Sequence, residues 1–147
     1  MKYLCLVYIE QSKLDALSGS ERDALMDDGK AWMEEIEKGG HHVLSAGLQS
    51  VRLATTVRHR NGRMLITDGP YAETKEQLGG FTMIEARDLN EAIRLASEMA
   101  AITPGSIEVR PVEDAIAGGH ALPASGAHEE RAESLAAGSF GGGTDGQ

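Results

Sequence analysis

Lys2-Tyr3-Leu4-Cys5-Leu6-Val7-Tyr8-Ile9 carries apolar side chains at every position after the first. Successive side chains of a strand point to opposite faces, so Tyr3, Cys5, Val7 and Ile9 share one face and Leu4, Leu6 and Tyr8 the other. A strand that is apolar on both faces has to be covered on both. The run is well short of the roughly 20 apolar residues a membrane helix needs. Glu10 follows at once and no small-residue cleavage site is present, so the segment reads as a first strand and not as a secretory leader.

The elements that follow tell how such a strand is covered. Ser20, with Asp23 three residues on, predicts a helix start of capping-box type. Leu25, Gly29, Trp32, Met33 and Ile36 then fall on one face at helical spacing, and Gly39-Gly40 ends the helix. A strand is expected from His42 to Leu48. Ala54–Arg60 and Arg63–Thr67 form two extended runs around Asn61-Gly62, the pair that favours a tight type I′ hairpin turn. Asp68-Gly69-Pro70-Tyr71 breaks the strand, Ala72–Leu78 reads as a polar loop or short helical turn, and Gly80–Ala86 as another strand. Asp88, with Glu91 three on, caps a second helix whose stripe is Leu89, Ala92, Ile93, Ala96, Met99 and Ala100. Pro104-Gly105 stops it, and Ser106–Val112 is the last strand, with Ile107 and Val109 on one side and Ser106, Glu108 and Arg110 on the other.

The order is β-α-β, a hairpin, then β-α-β. That is an α+β, ferredoxin-like split βαβ sheet with an inserted β-hairpin, both helices lying on one face. Its extent is residues 1–112. From Glu113 to Gln147 the composition turns to Gly, Ala, Ser and charge, too little apolar matter to offset ordering, and a flexible acidic tail is expected. The 147-residue chain has a formal net charge of −9, and the tail carries −5 of it. An acidic chain lacks the cations that neutralise phosphates, which argues against nucleic-acid binding. One cysteine, Cys5, excludes an internal disulfide and suits a reducing, cytoplasmic setting. No membrane association is expected.

Thr67-Asp68-Gly69-Pro70-Tyr71-Ala72-Glu73-Thr74-Lys75-Glu76-Gln77-Leu78-Gly79-Gly80-Phe81 resembles the signature of the DGPF-motif branch of the YCII-related family, with Tyr71 where the name has Phe. Met1-Lys2-Tyr3-Leu4, Ala54-Thr55-Thr56-Val57-Arg58 and Ile107-Glu108-Val109-Arg110-Pro111 match it as well, so the resemblance spans about residues 1–112. It implies a dimeric α/β barrel, in which two such sheets pack face to face as a homodimer. That independently fits a first strand with two apolar faces and helices for only one of them. The founding YCII-like proteins carry a histidine–aspartate pair suggested as catalytic. This sequence has no histidine between Leu14 and Lys38, so that pair is not carried over. The DGPF branch is associated with extracytoplasmic-function sigma factors, and proteins of the same fold include small-molecule isomerases and cofactor-free monooxygenases.

Asp68 is the leading candidate for chemistry, as a strand-end carboxylate before Gly-Pro able to bind a polar group or move a proton. The alternative is a turn former whose oxygens accept the following backbone N–H groups. Tyr71, Glu73 and Lys75 are candidate ligand contacts, and Glu76 in the same loop could line a pocket with them, although a mixed-charge loop is usually a solvated surface. Arg52, Arg58, Arg60, Arg63 and His59 form a basic cluster on the hairpin. Such charges commonly deter edge-to-edge aggregation. Arg58, inside the matching segment, is the one assigned a ligand-binding role. His41 and His42 point to opposite faces and have no third ligand at useful spacing, so no metal is expected. Cys5 reads as an inert core thiol, and no cofactor motif is present. Two functions follow: a small-molecule-binding protein or enzyme with its pocket near Asp68, or a regulatory protein partnering a sigma factor.

Overall fold

The computed structural model describes residues 1–113, so the expected tail lies, beyond Glu113, outside the described residues. The elements run β1 (Lys2–Ile9), α1 (Gln11–Asp15), α2 (Gly19–Lys38), β2 (His42–Gly47), a 3-10 turn (Val51–Leu53), β3 (Thr55–Arg60), β4 (Arg63–Asp68), β5 (Gln77–Glu85), α3 (Leu89–Ile102) and β6 (Gly105–Pro111). The main sheet has the order β2-β5-β1-β6, antiparallel throughout, and β3-β4 form a separate two-stranded hairpin. This is the expected α+β, ferredoxin-like arrangement with its inserted hairpin.

The core lies between the sheet and the two long helices. Tyr3, Cys5 and Val7 of β1 and Thr82 and Ile84 of β5 are buried beneath Trp32 and Ile36 of α2 and Ala92, Leu95 and Ala96 of α3. Trp32 donates its indole N–H to the Leu95 carbonyl at 3.1 Å and so ties the helices together. The other face of the sheet is left open by the described residues. There Leu4 stands opposite Met83 and Leu6 opposite Phe81, with Leu44 and Ala46 beyond them on β2. None of these side chains is fully buried. Among the described residues, the two-sided first strand is therefore covered on one side only.

Several boundaries differ from the sequence reading. The cap of α2 is Ser18, not Ser20: the Ser18 hydroxyl accepts the Glu21 N–H and the Glu21 carboxylate accepts the Ser18 N–H. Glu at the third position reaches back to the cap residue where the shorter Asp23 would not. The helix ends in a Schellman turn, with His41 N–H on Ile36 C=O and Gly40 N–H on Glu37 C=O, and Gly40 at φ +72°. In α3 Ala92 and Ala96 are buried as expected, but Leu95 is buried with them while Leu89 and Ile93 are exposed, so the stripe is rotated from the one expected. The one-turn α1 was not anticipated. β5 begins at Gln77, three residues early, because the two glycines form part of the strand. Asn61 (φ +51°) and Gly62 (φ +73°) make the left-handed hairpin turn as expected.

Candidate functional site

The C-terminal end of β1 is shaped by two glycines. At Val7–Tyr8 the pairing with β5 slips by one residue, from Gly80 to Leu78, which leaves Gly79 as a bulge. The Ile9 side chain lies over it, and a Cβ on Gly79 would come within 2.6 Å of Ile9 Cδ1. On the other side Gly105 pairs with Ile9, and the Glu10 N–H donates to the Pro104 carbonyl at 3.0 Å. Glu10 is thereby held where the strand leaves the sheet, with its side chain only 10% exposed. Lys13 Nζ lies 3.0 Å from Oε2, Lys75 Nζ 3.6 Å from Oε1, and the Ser12 hydroxyl donates to Oε1 at 3.2 Å. A buried carboxylate needs such partners to stay ionised.

Lys75 reaches Glu10 because the loop after β4 has a fixed shape. Gly69, at φ +99°, donates its N–H to the Ala54 carbonyl, and its own carbonyl accepts the Thr56 hydroxyl. Arg58 donates to the Tyr71 carbonyl at 2.7 Å. Gln77 spans the loop with one amide nitrogen, donating to the carbonyls of Ala72 and Thr74. Thr74 caps Glu76 C=O through its hydroxyl, and Glu76 accepts the Ser106 hydroxyl. The polar motif is thus a set of side-chain staples that puts Lys75 over the end of β1.

Between this loop, the 3-10 turn, the base of the hairpin and the end of β1 lies a half-open cleft of about 1230 Å³. Leu48, Val51, Leu53, Val57 and Leu78 supply apolar walls, Tyr8 and Tyr71 aromatic ones, and Glu10, Lys13 and Lys75 a polar end. An apolar concavity with a few convergent polar groups is the usual form of a small-molecule site.

The hydrogen bond from Lys13 is the main cause holding the Glu10 carboxyl below its ordinary value of 4.5. Burial pushes the other way, and Ser12 and the charges of Lys13 and Lys75 add to the lowering. A depressed carboxylate contributes stability that is full above the unfolded-state value and lost as pH falls through the folded one. Glu10→Gln is accordingly expected to reduce the loss of stability below pH 4.5 without abolishing it, since Glu21, Asp88 and Glu91 are lowered too. Urea melts between pH 3 and 7 check this, and identical slopes for both proteins would count against it.

The structure brings together three of the residues anticipated from sequence. Lys75, Glu76 and Tyr71 line the cleft, Tyr71 at its rim. Arg58 is not in the lining but positions the loop through the Tyr71 carbonyl. Glu73 is exposed and outside the lining, as is Asp68 at the end of β4. Among the described residues, the Asp68 carboxylate accepts no hydrogen bond from the following turn, which Gly69 and Thr56 hold instead. His41 and His42 have separate partners, the Glu85 carbonyl and the Ser45 hydroxyl. Burial pushes the Cys5 thiol up to about 11, which keeps it protonated and unreactive at neutral pH. Among the described residues no group of three or more His, Cys, Asp or Glu side chains is placed to hold a metal, and no helix is long and apolar enough to cross a membrane.

Glu10 and Lys13 were not singled out from sequence. The available signal was a charge placed directly after an apolar strand, but its partner Lys75 is 65 residues away and becomes visible only in the fold.

A family profile described as the YCII-related domain matches residues 1–116 of the chain. An uncharacterized protein of Rhizobium meliloti (strain 1021) is 38% identical over 114 residues, covering 76% of this chain and 92% of that protein.

Proposed function

Given that this chain belongs to the YCII-related domain family, we propose that it binds a small molecule in the cleft at the end of β1. The observation that carries this reading is Glu10, a carboxylate withdrawn from solvent and held ionised at one end of a cleft with apolar and aromatic walls. Perturbed, partnered ionisable groups in a concavity are the usual mark of a binding or reacting site. A charged acceptor of this kind suits ligand recognition or proton transfer, so an enzymatic role belongs to the same reading.

The test is a thermal-shift screen of amphipathic metabolites against the parent, Glu10→Gln and Asp68→Asn. Compounds that stabilise the parent are expected to stabilise Asp68→Asn equally and Glu10→Gln much less. Loss of the shift in Asp68→Asn with Glu10→Gln unaffected would return the site to the strand-end carboxylate.

The reading includes a cytoplasmic homodimer. Leu4, Leu6, Phe81 and Met83 on the open sheet face support it, because a second sheet packed there would cover them. Tyr8 shares that face and also lines the cleft, so the same packing would help close the site. Light scattering is expected to give twice the chain mass, and a monomer at micromolar concentration would oppose the dimer. A second reading, a regulatory protein partnering an extracytoplasmic-function sigma factor, draws support from Val57, Met64 and Ile66, which are exposed on one face of the hairpin.

A further inference from the structure

Resting on the cleft as a small-molecule site, we propose that its ligand is an amphipathic monocarboxylate, an aromatic or aliphatic acid whose head group is taken by Lys13 and Lys75. The charges in the cleft point this way. Two ammonium groups converge on the single carboxylate of Glu10, at 3.0 and 3.6 Å, so the two cations at this end share one ion-pair partner. The other acid in the lining, Glu76, directs its carboxylate to the Ser106 hydroxyl at 2.9 Å and lies within ion-pair distance of neither lysine. Glu10 is 10% exposed, whereas Lys13 is 62% and Lys75 80% exposed. The anion is thus behind and the cations in front, so an incoming head group meets ammonium groups first.

A monoanion would supply the second partner for the two lysines, while a ligand ammonium would meet two like charges before it reached Glu10. A small ammonium group binds an anion as a point charge through several rotatable donors, so both lysines can turn to one head group without releasing Glu10. Glu10 then serves as a positioning residue: it holds the two ammonium groups side by side. Leu48, Leu53, Val57, Leu78 and Tyr71 would receive the apolar body.

Isothermal titration of the full chain at low salt separates the possibilities. The probes are straight-chain acids of four to ten carbons with phenylacetate, the matching primary amides, and the matching amines. The acids are expected to bind, with amides and amines about tenfold or more weaker, equivalent to the charge contribution of one good ion pair. Lys13→Met and Lys75→Met should each weaken the acids several-fold and the amides less, while Lys75→Arg should retain most of the affinity. Both lysines are largely exposed, so melting curves should show folded proteins. Amides or amines binding as tightly as acids would overturn the carboxylate assignment and leave the cleft as a site. No binding by any probe would overturn the assignment and the site together.

Discussion

Gly105→Ala is expected to destabilise the domain by about 3 kcal/mol or more, lowering the melting temperature by roughly 10 °C, because the new methyl has nowhere to go. At the start of β6 the backbone passes so close to β1 that a Cβ on Gly105 would overlap the Tyr8 carbonyl and sit 3.0 Å from Ile9 Cα. These are backbone atoms of a central strand, not the mobile end of a side chain, so relief requires the two strands to part. The same separation would break the Glu10 N–H to Pro104 C=O bond and move the carboxylate at the head of the cleft. Loss of stability and loss of ligand binding should therefore appear together. A variant that melts within 2 °C of the parent would show that the close approach is not there.

Trp32→Ala should cost about 3–5 kcal/mol, the range for truncating a buried large aromatic side chain. Trp32 is 5% exposed, belongs to the cluster formed by Tyr3, Cys5, Ile36, Ile84 and Leu95, and makes the buried hydrogen bond between the two helices. Trp32→Phe keeps most of the volume and removes the bond, so a loss of about 1–2 kcal/mol is expected. Urea denaturation of the three proteins gives the comparison. Equal losses for Ala and Phe would mean that the hydrogen bond and not the packing holds α2 on α3.

Local chemistry explains which parts of this structure were legible beforehand. The alternation of β1, the Asn61-Gly62 turn and the Asp88 cap depend on neighbours within a few residues, and each appears where the sequence placed it. Ser18 and Ser20 both offer a cap hydroxyl, and only the reach of Glu21 over Asp23 separates them. Leu95, outside the expected α3 stripe, is buried in one cluster with Trp32, which lies 63 residues away in the chain. The motif around Asp68 was legible as a special segment, but which of its residues face the cleft was not: Lys75 lines it and Asp68 does not. Asp68 has the suggestive sequence context, yet Gly69, Thr56 and Gln77 shape the loop, and Lys75 is the residue it delivers. Glu10 gave almost no signal, because Lys75 and Pro104, which meet it in the fold, lie far from it in the chain.

The central claim is that the cleft at the end of β1 is the ligand site, and amide chemical-shift mapping tests it most directly. Titrating the isotope-labelled chain with octanoate should perturb the amides of residues 8–13, 48–57 and 71–78, with α2 and α3 unchanged. Perturbations on the helices or the hairpin tip, or none at millimolar octanoate, would contradict it.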